Sequence, residues 1–190
     1  MISDNPFGAD NQQERLVTTD WLDRIPRDLG HFLAGFVEGE GSFNVPFIRK
    51  HYGPLPWRVT LSFNVSQVGD EMPLLFKSTL ETGRTRGRGD GVFYFEVTKP
   101  QDLATKVFPF FERFPLRGPK AADLAIFRQI TELVQSGHHL TADGIERILL
   151  LRTPMNRGGK RRRSDEEIIA GLRNENPQRP YAELPVEAQG

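Results

Sequence analysis

The run Leu33–Gly41, reading LAGFVEGEG, constrains this 190-residue chain more than any other feature. Leu29, Phe32, Leu33, Phe36 and Val37 fall at helical spacing, which predicts a helix with a strong apolar face through LGHFLAGFVEGEG, capped by Asp28. Gly35 and Gly39 lie four apart and so share one face of that helix, with Ala34 beside them. A glycine inside a helix costs about 1 kcal/mol relative to alanine. Two of them need a packing reason, because small residues let a second backbone approach closely. Either another helix of the same chain or a second copy of this one meets that need. Glu38 and Glu40 stand at the helix C-terminus, where the helix dipole is already negative. Two such ends brought together repel unless a hard divalent cation, which takes oxygen ligands, sits between them. For Glu38 the reading favoured is a solvated or capping carboxylate.

After this helix the periodicity changes. SFNVPFIRK and WRVTLSFNVSQV alternate apolar with polar residues and predict two half-buried strands, joined by the turn-rich HYGPLP. In the second, Val59, Leu61, Phe63 and Val65 share one face, and Arg58, Thr60, Ser62, Asn64 and Ser66 share the other. A helix through EMPLLFKSTLE, closed by Gly83, comes next. RTRGRGDGVFYFEVTKP then reads as a hairpin turning at GDG. Helices follow at about 101–113 and 119–135, in HLTADGIERILLLR, and in DEEIIAGLR behind a Ser164/Glu167 capping box. The order α-β-β-α-β-β-α with added C-terminal helices is an α+β domain. We divide the chain into a partly disordered extension (1–27), with WLDRIP as a docking segment, a core (28–136), a helical extension (137–173) and a flexible tail (174–190).

Composition limits the function classes. No apolar run reaches the roughly 18 residues that span a bilayer, and the polar N-terminus has no apolar signal core. With no cysteine and 4 histidines, disulfides and thiolate metal sites are excluded and a zinc cluster is disfavoured. An intracellular protein is expected, in the cytoplasm, on a nucleoid or in an organelle. The net charge is zero, yet residues 1–41 are acidic on balance and residues 42–120 basic. A basic centre is a local patch that attracts phosphate despite the neutral sum.

LAGFVEGEG followed by Ser42-Phe43, in this order of elements, closely resembles the motif of the LAGLIDADG homing endonucleases, over about residues 29–135. The resemblance implies an antiparallel sheet laid into the DNA major groove. With one motif copy it implies a homodimer whose central contact is made by the motif helices, through Leu33, Gly35, Phe36 and Gly39. It implies that Glu40, with Gly39 beside it, holds Mg²⁺ (or Mn²⁺, with Ca²⁺ as a non-catalytic substitute). Gln67 then places the attacking water, and Lys120, or alternatively Arg117, completes the catalytic group. Asn44, Arg58, Thr60, Asn64, Arg86, Arg88 and Tyr94 are expected near bases, and Arg49, Lys50 and Arg84 near phosphates. The run Lys160–Arg163 is a further phosphate clamp or a solvated loop. The expected activity is a metal-dependent double-strand break in a long, near-palindromic DNA site. An RNA maturase, a non-cleaving DNA-binding regulator and a purely dimerising α+β domain are the alternatives.

Overall fold

The computed structural model describes residues 20–156 and 163–175. The polar stretch before residue 20, most of the Lys160–Arg163 run and the tail beyond 175 lie outside the described residues. Helix α1 (Asp20–Asp23) leads into α2 (Arg27–Glu40), and α1 with the turn after it buries Trp21, Leu22 and Ile25 in the core. The WLDRIP segment therefore docks. Asp28 does not cap α2: Pro26 holds that position without a side-chain bond, and Asp28 lies in the first turn. A carboxylate there still sits well against the positive end of the helix.

Strands β1 (Gly41–Asn44), β2 (Phe47–Arg49), β3 (Trp57–Val59) and β4 (Ser62–Val68) come next, then α3 (Glu71–Leu80), β5 (Arg84–Gly87) and β6 (Val92–Val97). The two long strands expected from the alternation are thus each broken in two. Pro46 has no N–H to give a ladder, so the chain leaves the main sheet there. Its carbonyl instead accepts the Thr60 amide at 3.0 Å and the Thr60 hydroxyl at 3.1 Å. The result is an antiparallel four-stranded sheet of order β1-β4-β6-β5, plus a separate two-stranded ribbon, β2-β3. Helix α3 ends on Glu81 in the left-handed conformation (φ 52°), two residues before the expected Gly83. Helix α4 (Pro100–Asp102) runs through a π-turn (Leu103–Val107) into α5 (Phe108–Arg113). The wide turn accommodates Pro109, which cannot donate to a carbonyl four residues back.

The core is phenylalanine-rich. Phe43 stacks on Phe63 at 5.2 Å, Phe63 meets Phe95 edge-on at 6.1 Å, and Phe95 stacks on Phe76 at 5.7 Å. Such pairs add about 0.5–1.5 kcal/mol each beyond their burial. They clamp the helices to one face of the sheet and leave the opposite face polar.

Helices α6 (Lys120–Gln135), α7 (Ala142–Arg152) and α8 (Asp165–Glu175) complete the fold. Thr141 caps α7, and the Glu167 amide donates to Ser164 Oγ at 3.1 Å, as the capping box predicts. These helices hold the β2-β3 ribbon, whose strands have 3 residues each and are too short to stand alone. Trp57 Nε1 donates to the Ile168 carbonyl at 2.9 Å, and Arg152 donates to the Val45 carbonyl at 2.8 Å while lying over the Phe47 ring. Arg152 is in turn ion-paired to buried Asp165. A Cβ at Gly171 would meet Trp57 Nε1 at 2.7 Å. Gly171→Leu should therefore cost about 1–3 kcal/mol of stability by overpacking, read by chemical denaturation; an unchanged midpoint would show that this contact does not hold the ribbon.

Candidate active site and nucleic-acid interface

Helix α2 has two faces of different character. Leu33, Ala34 and Val37 are buried in this chain's own core, and Gly30 is required there, since a Cβ on it would meet the Phe114 ring at 2.4 Å. Leu33, at 0% exposure, is therefore unavailable to a second chain, against the expectation from the motif. The other face is open. A Cβ on Gly35 or on Gly39 meets nothing within 4 Å, and Phe32 beside them is 54% exposed. Phe36 is half-buried and contacts Phe76. Packing among the described residues thus explains Gly30 but neither Gly35 nor Gly39. A groove beside this face is lined by His31, Ala34, Gly35, Glu38, Pro115 and Arg117.

The C-terminal end of α2 gathers the polar groups. Helix passes into strand without a loop: the Gly41 amide donates to the Val37 carbonyl, and Gly41 is already extended. A Cβ on Gly41 would meet Val37 Cγ1 at 2.5 Å, so only glycine permits this junction. Lys120, at the start of α6, donates from Nζ to the Glu38 carbonyl at 2.8 Å and to the Gly39 carbonyl at 3.1 Å. A cation is thus already drawn to these helix-end oxygens. That position favours Lys120 over Arg117, which lines the groove instead. Of the two sequence readings for Glu38, a solvated or a capping carboxylate, the solvated one does not hold. Its Oε1 accepts the Gly118 amide at 2.7 Å, and its Oε2 is buried with no partner among the described residues. A Cβ on Gly118 would meet Glu38 Oε2 at 2.5 Å, so a side chain there would displace this carboxylate.

Glu40 is exposed, and among the described residues no hydrogen bond or ion pair engages its carboxylate. The β1–β4 register pairs Gly41 with Val65, so Gln67, two residues further along β4, comes level with the end of α2. The donor set around Glu40 is a carboxylate and helix-end carbonyls, all hard oxygens of the kind that Mg²⁺ or Ca²⁺ prefers. No three of His, Asp and Glu come together among the described residues. The described residues therefore supply only part of a coordination shell, and they fit a divalent ion shared with other oxygen donors.

The polar face of the sheet is organised in cross-strand rows. One runs Ser42, Asn64, Glu96, Arg84 across β1, β4, β6 and β5, and another runs Ser66, Tyr94, Arg86. Arg86 lies over the Tyr94 ring at 4.3 Å, while Arg88, beyond the end of β5, donates to the Tyr94 hydroxyl at 2.9 Å and pairs with Asp90. Asn44 donates to Ser42 Oγ at 2.9 Å. The hydroxyl of Thr60 donates to the Pro46 carbonyl and closes the ribbon, which leaves it only acceptor capacity. Arg58 is exposed on the ribbon, Arg49 lies 5.5 Å from the Trp57 ring, and Lys50 closes the ribbon through its amide.

Two polar positions at this face were missed from sequence. Glu96 occupies the centre of the polar face, where the same alternation that selected Tyr94 places it. Asn156 reaches from the C-terminal segment to the Phe43 carbonyl at 2.6 Å and touches Asn44 at 3.5 Å, a contact no local pattern reveals. Burial pushes the Glu96 carboxyl up, but hydrogen bonds from Arg84 and Ser62 outweigh it and hold the group below the ordinary carboxylate range.

Residues 33–131, more than half of the chain, match the description LAGLIDADG endonuclease, and the chain belongs to that family. A probable intron-encoded endonuclease 3 of Neurospora crassa is 31% identical over 129 residues, 66% of this chain. The matched stretch is 24% of that relative's length and 29% of a second one's, so the chain spans a minor part of them. The homing endonuclease I-TnaI has a similar structure, with a TM-score of 0.66 at 27% identity, covering 80% of this chain and 98% of that one. The meganuclease I-SmaMI, bound to uncleaveable DNA, gives a TM-score of 0.65 at 26% identity over 81% of this chain and 52% of that one. No helix of the described residues is long and apolar enough to cross a membrane.

Because the Glu96 carboxyl is depressed in the folded state, its contribution is present above its unfolded value and is lost as pH falls through the lower folded one. Denaturation of the wild type and of Glu96→Gln, at neutral pH and in acid, should show a stability gap that narrows on acidification. A gap of constant width would mean that the charge on Glu96 stabilises nothing.

Proposed function

We propose that this chain is one half of a homodimeric, divalent-metal-dependent DNA endonuclease that breaks both strands of a long, near-palindromic site. The observation that carries this reading is the open face of α2: two glycines without a neighbour among the described residues, leading to a carboxylate at the helix end. Exposed helix glycines are stable choices where a second backbone comes to lie against them. A two-fold contact between copies sets helix against helix and Glu40 beside Glu40, with Phe36 and Phe32 flanking the seam. Coverage of nearly all of I-TnaI and about half of the I-SmaMI chain agrees with a unit that needs a second such unit.

Glu40, with the Gly39 carbonyl, would hold Mg²⁺ or Mn²⁺. An ion bound there supplies positive charge for water activation and for stabilising the leaving oxygen. The chain's own groups do the rest. Lys120 carries positive charge at the helix end, where phosphate charge develops, and Gln67 orients a water at the same level. The four-stranded sheet offers Asn44, Asn64, Arg86 and Tyr94 to base edges, and the ribbon offers Arg58, Arg49 and Lys50. Double-stranded DNA is the partner that this face suits.

Selection from a randomised duplex library with Mg²⁺, and then with Ca²⁺, tests the reading. Cutting with Mg²⁺, and binding without cutting in Ca²⁺, is expected. Binding to RNA with no duplex cleavage would replace this reading by a maturase. Glu40→Gln should abolish cleavage while leaving DNA binding largely intact, and undiminished cleavage would remove Glu40 from the site. Gly35→Leu should give monomers in analytical sedimentation; a stable dimer would refute the interface.

A further inference from the structure

Arg84 and Glu96 face each other across β5 and β6 on the polar side of the sheet. Arg84 donates twice to one carboxylate oxygen, from Nε at 3.1 Å and from Nη2 at 2.7 Å. The other oxygen of Glu96 accepts the Ser62 hydroxyl at 2.9 Å. The carboxylate is therefore held on both sides, and its side chain is 15% exposed against 69% for Arg84. This engages the Nε–Nη2 edge of the guanidinium and leaves Nη1 of the exposed side chain without a bond among the described residues, so that the Nη1–Nη2 edge is available to a ligand. Two parallel N–H groups on that outer edge match the O6 and N7 acceptors of guanine in the major groove.

A phosphate makes a poorer partner for this pair. Glu96 cancels much of the charge that would attract a phosphate and adds a carboxylate that repels one, while leaving the donor geometry intact. The guanine edge is neutral and asks for geometry, not net charge. Arg84 also continues the row of Asn64 and Ser42, both of which face the same side. We infer that Arg84 reads a guanine in each half-site, and that Glu96 is the positioning residue that fixes its fork. This moves Arg84 from the phosphate contacts to the base contacts, and it rests on the reading of the sheet as the DNA-facing surface.

The test compares the wild-type chain with Arg84→Ala, Arg84→Lys and Glu96→Gln. Each is measured for base preference across a half-site library and for the slope of log affinity against log salt. Circular dichroism confirms that each variant is folded, and the exposed Arg84→Lys keeps the test decisive should Glu96→Gln unfold. The wild type should prefer guanine at one position per half-site. Arg84→Ala and Glu96→Gln should lose that preference, by roughly 10-fold to 100-fold, and Arg84→Lys should weaken it by less, with preferences elsewhere kept. Arg84→Lys should keep the salt slope, because it retains charge and loses only the fork. Guanine selection by Arg84→Lys as strong as that of the wild type would overturn the inference, since a lysine reaches O6 and N7 without the fixed fork. So would a uniform loss across all sequences in Arg84→Ala, with the slope reduced by about one, as a phosphate contact gives. Unaltered selection in Glu96→Gln would remove Glu96 from the role. A wild-type chain that binds no duplex would overturn the endonuclease reading itself, an outcome distinct from a wild type that binds while its variants change nothing.

Discussion

The passage from α2 into β1 without a loop governs the rest of the molecule. A helix that runs straight into a strand cannot rotate or slide independently of the sheet, because Gly41 is at once the last hydrogen-bonded residue of one and the first of the other. The register of β1 on β4 then decides what lies beside the helix end. Gln67 arrives there along β4, and Lys120 arrives at the start of α6, bonded to the last carbonyls of α2. The polar groups near the end of α2 are thus placed by backbone connectivity, which is far stiffer than a set of side chains on separate loops. The same junction sets the angle between the open helix face and the polar sheet face, so a second copy docked on one fixes how two sheets present themselves together.

The C-terminal helices serve a different part of the fold. Where β1 breaks at Pro46, the chain makes a short ribbon that has no sheet neighbours to hold it. Helices α7 and α8 take the place of those neighbours. They accept the Trp57 indole, close over its ring at Gly171, and send Arg152 across to the Val45 carbonyl. Asn156 extends the same tie to β1 itself. A ribbon of three-residue strands that carries exposed Arg58 and Ile48 therefore has a rigid back.

Sequence patterning made the motif helix, the alternating strands and the α+β order legible, because each rests on a local period that burial enforces. What it could not show depended on where neighbours fall. The alternation in SFNVPFIRK continues through Pro46, so the break into two sheets was hidden in a residue whose missing N–H matters only beside a partner strand. Leu33 and Phe32 read alike as members of the apolar face of the motif helix, yet one turns into the core and the other out, since helix phase is fixed by contacts such as Gly30 on Phe114. Glu38 and Glu40, two residues apart, differ for the same reason: one is drawn under the loop before α6, the other left outside. Glu96 was legible in principle from the period that gave Tyr94, but an acid on a basic face gains meaning only once Arg84 stands opposite it.

That acid also resolves the tension between a neutral chain and an anionic partner. Affinity for phosphates follows the charge that is free to displace counterions. Of the three alternating arginines on the hairpin, two are paired with carboxylates, Arg84 with Glu96 and Arg88 with Asp90, while Arg86 rests on the Tyr94 ring. Each is a donor with a fixed direction more than a loose positive charge. For the proposed DNA partner, such a face gives up sequence-independent attraction and gains angular discrimination between base edges. A nuclease directed to one long site is served by that exchange, because non-specific duplex competes through charge alone and an oriented, half-neutralised guanidinium gives it little to hold.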